Sequence, residues 1–219
     1  MANHGQIRQT RQFSNWFELM VKDHGFLRLG WHNLHQISGE AWRSNQPTPG
    51  RIAKAARMGI KTIINLRGPR DDGGWRLENE ACQDHGITLI DFTIRSRAVP
   101  DHENILAAKA LFDSLTYPVL MHCKSGADRA GIMAALYLLL RQGADIDTAA
   151  KQLSFRFLHV RQAKTGLLDA FLDSYRPFEA KGVGFLDWAE HHLDPAAITS
   201  QFQAKGWATR LVDSILRRE

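Results

Sequence analysis

Val119-Leu120-Met121-His122-Cys123-Lys124-Ser125-Gly126-Ala127-Asp128-Arg129-Ala130-Gly131 decides how this chain folds. Its apolar opening reads as a short buried strand. The strand delivers Cys123 into a tight loop that closes on Arg129, and an apolar helix from Ile132 to Leu140 follows at once. A strand, a loop and then a helix aim the loop's backbone N–H groups and the helix N-terminus at one spot, a ready anion site. The same positive field favours a thiolate nucleophile at Cys123. Arg129 presents a planar fork for two oxygens of a bound phosphate. Gly126 permits positive φ and a close approach of backbone to ligand. A cysteine nucleophile inside a phosphate cradle points to phosphoryl transfer through a phosphocysteine. The bland alternative, an inert buried cysteine, requires neither glycine nor arginine at these offsets.

Outward from this stretch, strand and helix signals alternate. A helix is expected from Thr48 toward Met58, with Pro49 in its first turn. Lys61 to Leu66 reads as a buried strand, and Gly68 to Gly74 as a loop. A helix from about Trp75 to His85 and a strand from Ile87 to Ile94 follow, then a loop to Pro100. Asp101 to Leu115 has helical apolar spacing at Ile105, Ala108, Leu111, Phe112 and Leu115. Val119 to His122 is the central strand, and helices are expected through about Tyr175. The fold class is therefore α/β, a central, largely parallel sheet flanked by helices, with a helical C-terminal extension. Residues 1–34 form an N-terminal segment with an amphipathic helix, residues 35–176 the catalytic domain, and residues 177–219 the extension. Pro177 and Gly182 to Gly184 mark the boundary. In the extension Phe185, Trp188, Leu193, Ile198, Phe202, Trp207, Leu211 and Ile215 are expected to pack on the same domain, with a dimer interface as the minor reading.

Composition excludes several classes. Only two cysteines, one of them in the loop, argue against a disulfide framework and for a reducing compartment, so the chain reads as cytoplasmic. Met1 to Arg11 is polar and lacks the apolar core of a signal peptide. Ile132 to Leu140, the longest apolar run, is far short of the roughly 20 residues that span a bilayer. The net charge of +5 suits an anionic substrate, but no run of five basic residues points to nucleic acid. His32, His35 and the pair His191-His192 form no zinc pattern, and Asp71-Asp72-Gly73-Gly74 lacks the further ligands of a calcium loop. No metal and no cofactor are expected. Phe13, Trp16, Phe17 and Met20 share one face of the N-terminal helix candidate, which reads as cover for the domain's own core before it reads as a membrane contact. Cys82 reads as a small buried apolar residue before a resolving partner for Cys123.

His122-Cys123, five residues and then Arg129 resemble the signature of the cysteine-dependent protein tyrosine phosphatase superfamily. The atypical, bacterial dual-specificity branch is the nearest likeness. Ile37 to Thr48 and Gly59 to Arg67 are similar to the opening of its members, and the resemblance covers roughly residues 35–176. It implies a metal-independent phosphomonoester hydrolase. Cys123 is the nucleophile, and Arg129 with the backbone of Lys124, Ser125, Gly126, Ala127 and Asp128 holds the phosphate. It implies a general-acid aspartate too, and two strong candidates stay open. Asp101 follows Pro100 in a loop before the cysteine, although a helix-starting aspartate is also a good N-cap. Asp128 stands directly before Arg129, where some relatives with an Asp-Arg loop draw their acid. Asp91, within a strand, is the third. The chain departs from the family at Ala130, where many members carry a hydroxyl that helps the thiolate leave. Phosphotyrosine, phosphoserine and phosphothreonine proteins are the implied substrates. Lys124 at the pocket rim keeps inositol polyphosphates or phosphoinositides as the alternative, and Ala130 keeps a non-catalytic phosphate-binding module as a further one.

Overall fold

The structure, a computed structural model, describes residues 14–22 and 30–204. Five short strands are present: β1 (His35–Ser38), β2 (Ala41–Asn45), β3 (Thr62–Asn65), β4 (Thr88–Asp91) and β5 (Val119–Cys123). They form one sheet in the order β1-β2-β5-β3-β4, with all neighbours parallel except β1 against β2. Every residue of β5 is buried, as its unbroken apolar run demands of a strand with partners on both edges. The expected α/β class with a largely parallel sheet is the observed one. The β1–β2 hairpin adds an antiparallel edge that local patterning did not announce.

Contacts divide the chain into two compact units, Met1–Ile94 with Ser114–Gly131, and Arg95–Asp113 with Ile132–Glu219. The first contains the sheet, helix α1 (Pro49–Arg57) and helix α2 (Gly73–Asp84). Pro49 opens α1 as expected, with Thr48 as its N-cap residue. Ile52, Ala55, Ile60, Ile63, Ala81, Cys82, Ile87 and Leu120 form one buried cluster joining both helices to the sheet. Each large aliphatic side chain there contributes about 1.5–3 kcal/mol.

Helix α2 begins two residues earlier than composition suggested, because Asp72 caps it by accepting the Trp75 N–H at 2.9 Å. The glycines that read as loop serve a close approach instead. A Cβ at Gly73 would lie 2.5 Å from the Asn15 carbonyl oxygen. Residues 14–17 are helical and run into a π-helical turn, Glu18–Lys22. Glu18 accepts the Gly73 N–H at 2.8 Å and pairs with Arg76 at 3.1 Å. Asn15 and Leu19 are the buried members of this segment, whereas Trp16 and Phe17 face outward. That corrects the expected inward face; Phe13 lies outside the described residues.

The second unit holds helices α3 (His102–Ser114), α4 (Asp128–Leu140, from Ile132 on), α5 (Ile146–Ala150), α6 (Leu167–Glu179) and α7 (Phe185–His191). Ile105, Ala108 and Phe112 are the buried stripe of α3, and Phe112 meets Tyr137 of α4 edge-on at 5.4 Å. Pro177 does not end α6, which continues to Glu179; the chain turns at Gly182, where φ is +81°. Phe185 and Trp188 then pack on Phe171 and Tyr175. Residues 195–204 are helical, and Trp207, Leu211 and Ile215 lie outside the described residues. A buried pair, His159 and Asp169 at 2.7 Å, ties the loop before α6 to that helix. Among the described residues no helix is long and apolar enough to cross a membrane.

Candidate active site

Cys123 is the last residue of the central strand, with Asn45 opposite it on β2 and His122 flanked by Ser44 and Asn65. Parallel strands end together, so β2, β3 and β5 present their carboxyl ends at one place, where α/β sheets bind ligands. Lys124 to Ala127 form the connecting loop, and α4 starts at Asp128.

The loop's hydrogen bonds explain its shape. All four carbonyls from Lys124 to Ala127 accept from residues of the segment before β3: Gln46 N–H to Lys124 at 3.5 Å, Asn33 Nδ2 to Ser125 at 3.0 Å, and Arg43 Nη2 to Gly126 at 2.7 Å and Ala127 at 2.8 Å. In a planar peptide the carbonyl and the next N–H point opposite ways. Carbonyls held by the surrounding protein therefore turn the amides to the other side of the loop. The Gly126 N–H shows it directly, donating to Cys123 Sγ at 3.2 Å. Gly126 itself has φ +76°, and a Cβ there would lie 2.7 Å from Asn45 N. Conformation and space both require glycine.

Cys123 is 2% exposed, while Lys124, Asp128 and Arg129 are half-buried and Ser125 is exposed. Ala130 is fully buried, so the hydroxyl of other members has no counterpart in that side chain. Beside Cys123, on the same strand, His122 Nε2 lies 2.5 Å from Glu78 Oε1, both side chains being fully buried. Glu78 Oε2 accepts from Gln46 Nε2 at 3.4 Å, and Gln46 Oε1 in turn accepts from Arg67. One carboxylate thus links α2, β5 and the residue that follows β2.

The structure gathers Cys123, Asp128 and Arg129 in the first unit, Cys123 at the end of β5 and the other two in the first turn of α4. Asp101 belongs to the second unit, where it accepts the Asn104 N–H at 2.8 Å at the head of α3. Asp91 holds Asn65 Nδ2 at 2.7 Å and Trp75 Nε1 at 3.0 and 3.2 Å, so both its oxygens serve the fold. Cys82 sits in the apolar cluster, where burial and then the Glu78 charge push its thiol up to about 12. At neutral pH it stays an inert thiol, not a resolving partner. Among the described residues no cluster of histidine, cysteine and carboxylate could hold a metal.

Sequence reading missed Asn33, Arg43, Gln46 and Glu78. Arg43 and Gln46 lay inside the stretch that carries the resemblance, with no role attached. An arginine within a short segment otherwise made of strand-compatible residues was the available signal.

Residues 10–166 match the family model described as DSP-PTPase phosphatase fused to NAD+ kinase. The chain belongs to this phosphatase family. Dual specificity protein phosphatase TpbA of Pseudomonas aeruginosa is 28% identical over 122 residues, which is 55% of this chain and 53% of TpbA. Inositol diphosphatase DSP4 of Arabidopsis thaliana is 27% identical over 106 residues, 46% of this chain and 52% of DSP4. The family member described here thus spans about half the length of these curated relatives. Among solved structures, P. aeruginosa TpbA superposes with a TM-score of 0.55 at 24% identity, covering 72% of this chain and 90% of that one. The catalytic core of PP-IP phosphatase SIW14 from S. cerevisiae gives 0.50 at 19%, covering 68% and 92%. These superpositions show the shared fold, and with the family match and the likeness to TpbA they make the chain an atypical, bacterial dual-specificity phosphatase-like protein.

Proposed function

We propose that this family member hydrolyses phosphomonoesters through a phosphocysteine formed on Cys123. The observation that carries the reading is the loop whose four carbonyls are bonded to the surrounding protein, which turns its amides to the other side, the Gly126 N–H onto Sγ itself. In the first step Cys123 Sγ attacks phosphorus and the bond to the leaving oxygen breaks. Arg129 and the amides of Lys124 to Arg129 hold the three equatorial oxygens, stabilising charge where it develops. Asp128 protonates the leaving oxygen. In the second step the Asp128 carboxylate takes a proton from water, water oxygen bonds to phosphorus, and the S–P bond breaks to return the thiolate and free phosphate. Asp128 is preferred as acid because it directly follows the loop, as the first residue of α4; Asp101, exposed at the head of α3, is the alternative. No cofactor enters any step, and a thiolate nucleophile suits a reducing cytoplasm.

The substrate is proposed to be a phosphorylated protein, with phosphotyrosine, phosphoserine or phosphothreonine, as the TpbA likeness supports. A second reading, an inositol polyphosphate or pyrophosphate, is supported by the likeness to DSP4 and by Lys124 beside the nucleophile. Phosphate release by wild type and Cys123→Ser, with chelator present, tests both readings. The panel holds an aryl phosphate, phosphotyrosine and phosphoserine peptides, and inositol polyphosphates. Chelator-resistant turnover lost in the variant is expected, and the ranking of substrates assigns the class. Phosphate binding without turnover on any substrate would replace the enzyme by a phosphate-binding module.

A further inference from the structure

We propose that Arg43 is the positioning residue of the phosphate loop, holding the Gly126 and Ala127 carbonyls so that the following amides stay aimed at a bound oxyanion. The inference rests on the phosphatase reading of the loop. Arg43 lies on β2 opposite Met121, and it is completely buried. Its Nη2 reaches both carbonyls, at 2.7 and 2.8 Å. Because each peptide is planar and trans, fixing these two oxygens fixes the Ala127 and Asp128 N–H groups on the opposite side, where the Ala127 N–H meets Ser125 Oγ at a long 3.3 Å. The preceding peptide behaves the same way: Ser125 O goes to Asn33, and the Gly126 N–H goes to Sγ. Of these outward bonds, two of the shortest come from Arg43.

A buried guanidinium is costly unless charge offsets it. Burial lowers the Arg43 pKa to about 10 even though the charges of Cys123 and Asp128 work against that shift. It remains a cation at neutral pH, so the groups that offset its burial are those of the loop it supports. Arg43 therefore adds a fixed positive charge on the far side of the loop from the ligand. Arginine suits the place better than lysine, because the planar guanidinium fixes the directions of the two Nη2 N–H bonds, whereas an ammonium is a freely rotating point on a flexible stem.

The experiment compares wild type, Arg43→Met and Arg43→Lys, each first checked for native circular dichroism. Tungstate binding by calorimetry gives a readout independent of turnover, and p-nitrophenyl phosphate gives kcat and KM. Arg43→Met is expected to lose roughly 10²–10³-fold in kcat/KM, the scale of removing preorganised donors. Its tungstate affinity is expected to fall in parallel. Arg43→Lys keeps the charge and loses the fixed planar donor geometry, so about a 10-fold loss of tungstate affinity is expected. If Arg43→Met does not fold, Arg43→Lys alone carries the test. Folded variants with wild-type tungstate affinity and kcat/KM overturn the proposal even if wild type is an active phosphatase. A wild type that binds tungstate but never turns over sinks the phosphatase reading alone, and the binding arm still tests Arg43.

Discussion

The chain has two cysteines, and both are buried, Cys123 at 2% exposure and Cys82 at 1%. Burial therefore does not distinguish them. Cys82 is surrounded by aliphatic side chains and the Glu78 carboxylate, which hold its proton in place. Cys123 ends a strand under a backbone N–H, with Arg43 bracing the loop around it. The contrast teaches that reactivity is decided by which dipoles and charges face a thiol. Glu78 belongs to both regions: it contacts His122 beside one cysteine and opposes ionisation of the other.

The sharpest way to break this comparison is to exchange the sulfurs one at a time. Cys123→Ser is expected to lower turnover by about 10⁴-fold or more, as removal of a nucleophile does elsewhere. Cys82→Ser is expected to leave kcat/KM within about twofold per folded molecule, measured on an aryl phosphate. Equal losses at both positions would erase the distinction.

Asp128→Asn is expected to cost about 10²–10⁴-fold with poor leaving groups and far less with very good ones. Asp101→Asn is expected to show no such leaving-group dependence. The reverse pattern moves the acid to Asp101.

Glu78→Ala tests the residue shared by the two regions. Removing one partner of a buried contact leaves the other unsatisfied, at a cost of roughly 3 kcal/mol in chemical denaturation. The same change removes one of the two influences holding Cys82 protonated, so native-state alkylation of Cys82 should quicken. Unchanged stability would mean that Glu78 supports neither cysteine's surroundings.

Cys82→Ala is expected to cost about 1 kcal/mol, an ordinary core truncation, without altering tungstate affinity. An equally small effect concerns His32, which lines a cavity with Trp42, Arg51, Lys54 and Leu120 on the Cys82 side of the sheet. Burial first, then Arg51 and Lys54, lower its pKa from 6.5 to about 4. Between those values the unfolded chain binds a proton that folded His32 does not, so stability falls as pH falls through that window. Discounted for its partial exposure, the contribution is about 1 kcal/mol. His32→Gln should flatten the acid limb of stability against pH; an unchanged limb removes His32 from the account.

Much of this was legible because it is local. The run from Val119 to Gly131 contains its own strand, turn and helix signals, and Pro49 and Ile105-Ala108-Phe112 announce α1 and α3 in the same way. The β1–β2 hairpin was not, since Gln36 to Asn45 mixes polar and apolar residues without a clean alternation. Arg43 reads on paper as a surface charge; only its place under the loop makes it internal. Gly73 and Gly74 looked like loop because the Asn15 backbone that needs the space comes from far along the chain. The acid stayed undecided between Asp128 and Asp101 because neighbouring residues do not say which carboxylate meets a leaving group.

The contacts that shape the phosphate loop join residues 83, 84 and 92 positions apart. Closing segments of that length is entropically slow, so such contacts form late in folding. A nascent or partly folded chain would carry Cys123 on a loop with no defined inner side. Oxyanion affinity is thus a reporter of the finished fold, and a saturating oxyanion in turn should hold the loop after β5 against Asn33 and Arg43 and oppose unfolding.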